Sequence, residues 1–217
     1  MPAAPMNAAL TFRRAQPADA DAAVPLIYSS GPAAFDFVFS HARQGTPLDY
    51  LRRAYLDGSG EFGWRNHVVM CLDGRLAGIG AGYTGRTALP FMLAAAGQIF
   101  GQYGLLSAPG VIVRGLRVEA VIPPPTRSDQ LYLAHLGVRP ELRGQGLGSQ
   151  LMAHLLERGR EAGLRQAALD VSVENPRAQA LYERWGFKVV RQRASRLSNH
   201  FAAVPGHRRM ECSLQAF

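Results

Sequence analysis

Residues 138–151 read VRPELRGQGLGSQL, and this stretch decides the fold. Its three glycines, Gly144, Gly146 and Gly148, stand directly before a run with helical spacing. Glycine allows a backbone to turn sharply and to come close to a ligand. Successive N–H groups at the start of a helix attract an anion, and the helix dipole adds to that attraction. The stretch therefore predicts a phosphate-binding turn that leads into a helix.

Two nucleotide-binding motifs fit these glycines poorly. A Walker P-loop ends in Gly-Lys-Ser/Thr, whereas Gly148 is followed by Ser149 and Gln150. A dinucleotide fingerprint needs GxGxxG with an acidic residue about twenty positions later. Here the third glycine comes one place early, and Asp170 falls within a strand rather than at its end. A turn that serves packing alone is disfavoured by the entropic cost of three glycines. A diphosphate remains the favoured ligand of the turn, and Arg143 supplies positive charge at the edge of the turn.

The rest of the chain alternates between strand and helix patterns. Strand patterns occur at residues 11–15, 67–72, 75–83, 131–138, 167–173, 187–191 and 208–214. Helical patterns occur at residues 18–30, 33–41, 48–57, 147–161 and 176–185. The tight turn at Asp73-Gly74 indicates an antiparallel hairpin, whereas the order from residue 131 is typical of parallel pairing. We predict an α/β protein of the α+β type, with a mixed central sheet of about seven strands and helices on both faces.

One uncharged segment, residues 87–113, is long enough to raise the question of a membrane span. Glycines, glutamines and a proline interrupt it, and its larger apolar residues recur at helical spacing instead. We expect an amphipathic helix that docks on the core or faces another subunit. The residues that define its apolar stripe are Leu89, Leu93, Ala96, Phe100 and Tyr103.

Composition limits the choice of partners and compartment. The formal charge is +8, which favours anionic ligands, but the arginines are scattered and we expect no nucleic-acid partner. Cys71 and Cys212 lie in apolar runs without metal-ligand spacing, so we predict reduced core cysteines, with a disulfide as the alternative, and no metal site. The first ten residues lack the pattern of a signal peptide. We expect residues 1–10 to be a flexible leader, a cytoplasmic location and no membrane partner.

Two motifs together resemble a known family, the GNAT family of N-acetyltransferases. Arg143-Gly-Gln-Gly-Leu-Gly148 matches its acetyl-CoA signature Gln/Arg-x-x-Gly-x-Gly/Ala, and Leu136-Gly-Val-Arg-Pro-Glu141 matches the preceding strand end L-x-V-x-P-E. The stretch from Glu174-Asn175 through Leu181-Tyr182 to Gly186-Phe187 matches a second signature, E/N-N-x-x-A-x-x-L-Y-x-x-x-G-F. The motifs follow one another in the family's order.

The resemblance implies direct transfer of an acetyl group from acetyl-CoA to an amine. It implies a GNAT fold in which the fourth and fifth strands splay apart around the cofactor. The turn would hold the pyrophosphate, the strand end would pair with pantetheine, and the N–H of Val138 would stabilise the oxyanion. The implied cofactor-binding residues are Leu136, Gly137, Val138, Arg143, Gly144, Gln145, Gly146, Leu147, Gly148, Ser149, Asn175 and Tyr182.

Two side chains are candidate catalytic residues. By resemblance, the Tyr182 hydroxyl protonates the departing thiolate, although a tyrosine that only packs on the cofactor is the alternative. His135 lies three residues before Val138, on the opposite face of the strand, and is a candidate base for the acceptor amine. A hydrogen-bonded core histidine would give the same pattern. Further candidates for the base are Glu119, Asp170 and Glu174.

The family core joins its third and fourth strands by a short connection, so residues 84–130 are predicted to be an insertion in a single domain, 11–217. We expect this insertion, with residues 33–41 and 193–207, to frame the acceptor pocket or a homodimer contact. A non-catalytic acyl-CoA-binding sensor is the alternative function. The motifs indicate the donor and leave the amine acceptor unidentified.

Overall fold

The computed structural model describes residues 9–216 of the chain. Residues 1–8 of the predicted leader 1–10 lie outside the described residues. Within the described range, seven strands form one sheet in the order β1-β2-β3-β4-β5-β7-β6. Among the strands of residues 9–216, β4 and β5 alone pair in parallel, so the sheet is mixed, as predicted. The strands are β1 (Leu10–Arg14), β2 (His67–Leu72), β3 (Arg75–Tyr83), β4 (Gln130–Val138), β5 (Gln166–Ser172), β6 (Lys188–Arg193) and β7 (His207–Ser213).

Helices cover both faces of the sheet. They are α1 (Ala20–Ser29), α2 (Pro32–Phe39), α3 (Pro47–Asp57), α4 (Ala88–Glu119), α5 (Leu147–Glu161) and α6 (Pro176–Arg184). Side chains of α1 to α4 form one apolar core with Val69 and Ile79, and those of α5 form a second core with Val68 and Met70. Adjacent residues of β2 thus enter opposite cores, as the pleat of a strand requires. The predicted arrangement of helices on both faces of a seven-stranded mixed sheet is confirmed.

Local sequence explains where the elements begin and end. Thr46 accepts a hydrogen bond from the Asp49 N–H in a capping box at the start of α3, and Gly58 ends that helix in the left-handed region. The Asn175 side chain caps α6 through the Ala178 N–H. Asp73 has φ 51° between β2 and β3, which is the positive value that a two-residue hairpin turn requires.

Strands β4 and β5 part after a short contact. Their pairing extends only from Gln130 to Tyr132 on β4 and from Gln166 to Ala168 on β5. Beyond that point β5 continues to pair with β7 but not with β4. The predicted splay of the fourth and fifth strands is therefore present, and it opens a gap beside the C-terminal half of β4.

A β-bulge marks the same part of β4. Ile79 pairs with Gly137 and Ala81 pairs with Ala134, so β4 uses one residue more than β3 over this interval. His135 lies in that interval with φ 55°, a conformation that non-glycine residues seldom adopt. The bulge places His135 on the α1–α2 face, whereas Leu136 and Val138 pack toward the α5 core.

Helix α4 lies within residues 84–130, the predicted insertion, and packs mainly on α2. Gly104, with φ 68° and ψ 175°, bends it, and its buried residues are Ile99, Tyr103, Ala108 and Val111. The predicted docking stripe is only partly correct, because Leu89 and Leu93 are 60% and 63% exposed. Apolar residues lie on every side of α4, so their spacing does not identify the face that packs on the core. Contacts with neighbouring elements determine that face, and one of them is the hydrogen bond from Arg53 to the Gly101 carbonyl.

Among residues 9–216, no single helix is both long and apolar enough to cross a membrane. The bent pair Pro17–Ser29 and Pro32–Phe39, with an angle of 101° between its helices, passes when taken together, by length and composition only.

Candidate active site

The glycine turn keeps its backbone open. Gly144 and Gly146 have φ values of 82° and 80°, and a Cβ added to either would meet no atom within 4 Å. These glycines are therefore required by the backbone conformation and not by protein packing. Gly146 is the N-cap of α5 and contributes no side chain to the cap. The N–H groups of residues 144–148 form no hydrogen bond within the described part of the chain, so the helix start can receive an anion.

The end of β4 adjoins this turn. The Arg139 N–H donates to the Ala77 carbonyl on β3, 2.9 Å away. Hydrogen-bonded and non-bonded pairs alternate in an antiparallel ladder, so the N–H and C=O of Val138 point away from β3 and toward the gap. Arg143 Nε donates to that Val138 carbonyl at 3.0 Å. The side chain predicted to add charge thus also ties the strand end to the turn.

The two sequence motifs meet at the start of α5. A Cβ added to Gly148 would lie 3.5 Å from a methyl group of Leu181 on α6. Tyr182, on the same helix, packs against the core that also contacts Leu136 and Val138. Burial raises the pKa of Tyr182 to about 12, so its hydroxyl keeps its proton at neutral pH. The phenol is therefore able to donate a proton at neutral pH.

Other predicted cofactor residues divide into backbone and side-chain roles. Gly137 allows α1 to approach β4, because an added Cβ would come 2.6 Å from the Leu26 carbonyl oxygen. The Leu147 side chain is buried in the α5 core, which leaves only its N–H for a ligand. Gln145 donates to the Glu141 carbonyl within the turn, and the Ser149 N–H already bonds to Gly146.

His135 faces away from the glycine turn. Its Nδ1 lies 3.1 Å from Nε2 of His67, and Nδ1 of His67 lies 3.0 Å from the Gly63 carbonyl oxygen. Burial lowers the pKa of His135 to about 4 and that of His67 to about 3. Both imidazoles are therefore neutral at physiological pH. His135 Nε2 is 3.6 Å from Oε1 of Glu61.

Glu61 is a residue that the sequence did not single out. It lies between α3 and β2, outside both motifs, and accepts a 2.6 Å hydrogen bond from the Tyr83 hydroxyl. Burial raises its pKa, while the bond from Tyr83 acts in the opposite direction. A lone glutamate among glycines carries no local signal of function. Only the fold brings it over β4, beside His135.

A buried ion pair lies where β4 and β5 separate. Arg209 on β7 and Asp170 on β5 are 2.7 Å apart, with side chains 12% and 2% exposed. The Tyr132 hydroxyl donates to the same Asp170 oxygen, and the Arg209 guanidinium lies 5.1 Å from the centre of the Tyr132 ring. Asp170 Oδ1 has no partner among the described residues. Of the other candidate bases, Glu174 is exposed, and the pKa of Glu119 is raised by burial and then by Glu61.

Among residues 9–216, no group of three or more His, Cys, Asp and Glu side chains is placed to hold a metal ion. Cys71 and Cys212 are free thiols and both are buried.

A splayed mixed sheet beside an anion-attracting helix start defines the structural class of this α/β protein. A sequence model of the acetyltransferase (GNAT) family matches residues 35–187, and the chain belongs to that family. N-acetyltransferase 8B of Rattus norvegicus is 31% identical over 126 residues, which are 58% of this chain and 51% of that protein. The chain thus spans about half the length of this curated relative.

Solved structures show the same fold. An N-acetyltransferase from Staphylococcus aureus Mu50 has a TM-score of 0.68 at 18% identity, covering 93% of this chain and 100% of the other. A putative acetyltransferase from Salmonella typhimurium, solved with its cofactor acetyl-CoA, has a TM-score of 0.53 at 18% identity and covers 96% of each chain.

Proposed function

We propose that the protein transfers the acetyl group of acetyl-CoA to an amine. One observation carries the proposal: the gap between β4 and β5 runs beside the outward-facing backbone of Val138 and adjoins the open N–H groups of the glycine turn. Pantetheine amides pair with a free strand edge, and a diphosphate suits a helix start. Membership of the acetyltransferase family and the acetyl-CoA complex of the Salmonella typhimurium neighbour support the choice of donor.

The residues present fit acetyl-CoA. In the proposed complex, the N–H groups from Gly144 to Gly148 hold the pyrophosphate, and Ser149 borders it, because its own N–H already bonds to the Gly146 carbonyl. The backbone of residues 136–138 binds pantetheine, and Arg143 adds positive charge. Asn175, whose side-chain oxygen caps α6, borders the arm through its amide. The main support is that Gly144 and Gly146 leave space where a side chain would obstruct a ligand.

The proposed reaction is attack of the amine nitrogen on the thioester carbonyl carbon. The Val138 N–H stabilises the resulting oxyanion, because it points into the gap where the carbonyl oxygen would lie. The carbon–sulfur bond then breaks, and Tyr182 donates its proton to the thiolate. A buried, protonated phenol suits that role.

Catalysis is favoured over a sensor role by one feature. The face of the sheet opposite α5 carries polar side chains over β4, including Glu61, His135 and Asp170, and a sensor of acyl-CoA has no need of them. A thiol-release assay with acetyl-CoA and a panel of primary amines tests this choice. Release that depends on the amine supports the enzyme, and tight binding of acetyl-CoA with no release from any amine supports the sensor.

A homodimer is proposed from the surface of α4. Its exposed apolar residues include Leu105, Leu106 and Leu116, which are 81%, 98% and 58% exposed. Such a surface is costly to leave in water and suits a second copy of the chain. Sedimentation of wild type and Leu106→Glu tests the idea: a dimer that dissociates in the variant supports it, and a monomeric wild type contradicts it.

A cytoplasmic location is also proposed, since both cysteines are reduced and buried.

A further inference from the structure

A chain of hydrogen bonds with a fixed direction ends at His135, which faces Glu61. The Gly63 carbonyl can only accept, so His67 donates to it from Nδ1. A neutral His67 then accepts at Nε2, and His135 must be the donor through its own Nδ1. A neutral His135 is left with a bare lone pair at Nε2. That lone pair faces Glu61.

Two hydrogen-bond acceptors therefore face each other with no proton between them. His135 Nε2 and Glu61 Oε1 are 3.6 Å apart, which is too long for a hydrogen bond. The separation lets one nitrogen atom lie within hydrogen-bonding distance of both. A group with at least two N–H donors can bond to both atoms, and a positive charge on it would also pair with the Glu61 carboxylate. A primary ammonium has that charge and three such donors.

The surroundings suit a cation that carries an apolar chain. The rings of Phe62 and Phe35 lie 5.2 Å and 6.4 Å from the His135 ring, and Phe91 of α4 meets Tyr83 edge to face at 5.1 Å. Aromatic faces attract ammonium groups. Glu61 keeps 40% of its side chain exposed, whereas His135 keeps 7%, so the pair is reached from the Glu61 side.

We propose that Glu61 and His135 bind the primary ammonium of the acceptor and that Glu61 removes its proton. The inference rests on the proposed acetyl transfer and assigns its acceptor to primary amines. One ammonium proton moves to the Glu61 carboxylate, and the free amine attacks the thioester carbon. Tyr182 gives its proton to the thiolate and regains one when the attacking nitrogen loses its second proton. Glu61 then releases its proton to water, so one proton leaves in each cycle.

Groups on several elements set the charge of Glu61. Tyr83 donates to it, His135 faces it, and the pKa values of Glu119, Tyr50 and Tyr132 are each raised in part by its negative charge. His67 acts through His135. Glu119 adds negative potential near Glu61, whereas the Arg209 guanidinium acts on the neighbouring Tyr83 and Tyr132 and is paired with Asp170 at 2.7 Å.

The test is a titration of the full chain, with CoA bound, by butylammonium at pH 7, followed by the ¹⁵N signal of His135 Nε2. Tetramethylammonium is the matched probe because it has the charge but no N–H donor. We expect butylammonium to shift the signal and tetramethylammonium to leave it unchanged. Glu61→Gln should weaken butylammonium binding at least ~10-fold. Glu161→Gln, the same change on the exposed end of α5, should leave the affinity unchanged.

A second variant keeps the carboxylate. Tyr83→Phe removes the hydrogen bond that lowers the pKa of Glu61, so that pKa should rise. Butylammonium should then be lost at a higher pH than in wild type, because the protonated acid no longer attracts it. Equal responses to both probes, an unchanged affinity in Glu61→Gln, or the same pH dependence in Tyr83→Phe would overturn the inference. Failure of the wild type to bind acetyl-CoA in calorimetry would instead overturn the proposed function.

Discussion

The two faces of the sheet beside β4 present different chemistry. On the α5 face, apolar side chains such as Leu136 and Leu151 pack together and the groups left for a ligand are backbone amides. On the opposite face, charged and aromatic side chains gather over the same strand, with Glu61, His135 and Asp170 among them. A ligand site made of backbone amides depends on the conformation of the chain, whereas a ligand site made of side chains depends on which residues are present. The first suits a donor of fixed structure, and the second can be adapted to one acceptor.

The largest expected effect is a loss of stability when the buried ion pair on the face opposite α5 is broken. Arg209→Met leaves Asp170 as a buried and unpaired carboxylate, which typically costs about 3–5 kcal/mol of unfolding free energy. The exposed pair of Arg52 with Asp21 is the control, and Arg52→Met should cost less than about 1 kcal/mol. Urea unfolding of both variants measures the difference. Equal losses of stability would mean that the buried pair does not organise this face.

Tyr182→Phe is expected to lower turnover about 100-fold. The phenyl ring keeps its packing on the α5 side, but no proton can pass to the thiolate. Thiol-release kinetics should therefore fall while the calorimetric affinity for acetyl-CoA stays within about twofold. Tyr55→Phe removes a hydroxyl that bonds to the Gln16 carbonyl and serves as control. Normal turnover in Tyr182→Phe would make this tyrosine a packing residue.

Acidification is expected to lower the stability of the folded chain by a smaller amount. His67 and His135 have folded pKa values of about 3 and about 4, below the ordinary value of 6.5. The unfolded chain therefore binds protons that the folded chain does not, and stability falls as the pH drops below 6.5. At pH 5 each histidine accounts for a loss of about 2 kcal/mol. His135→Gln should reduce the loss between pH 7 and pH 5 by that amount, and an unchanged loss would contradict the burial of a neutral imidazole.

The same variant separates two candidate bases. A histidine with a pKa of about 4 does not change charge near neutral pH, so His135→Gln should leave the pH dependence of turnover above pH 6 unchanged. Loss of an ionisation near pH 6 to 7 in this variant would restore His135 as the base, in place of Glu61.

The difference between the faces also explains what could be predicted from the sequence. The phosphate turn and the second motif are local, because each glycine, cap or tyrosine acts within one turn and the helix beside it. Strand positions followed from alternation and from Asp73-Gly74. Glu61 could not be predicted, since its partners Tyr83 and His135 lie 22 and 74 positions away and meet it only through the fold. The bulge at His135 and the buried side of α4 depend on neighbouring elements in the same way.

The central claim is that donor and acceptor sites lie on opposite faces of β4, and calorimetric titration with acetyl-CoA tests it most directly. Gly146→Val should weaken binding at least ~100-fold, about 2.7 kcal/mol, by obstructing the phosphate site. Gly163→Val is the matched control, because Gly163 has a similar φ of 73° and the same open surroundings at the other end of α5. Gly163→Val and Glu61→Gln should both bind acetyl-CoA like the wild type. Equal affinity in Gly146→Val and Gly163→Val, or loss of binding in Glu61→Gln, would contradict the account.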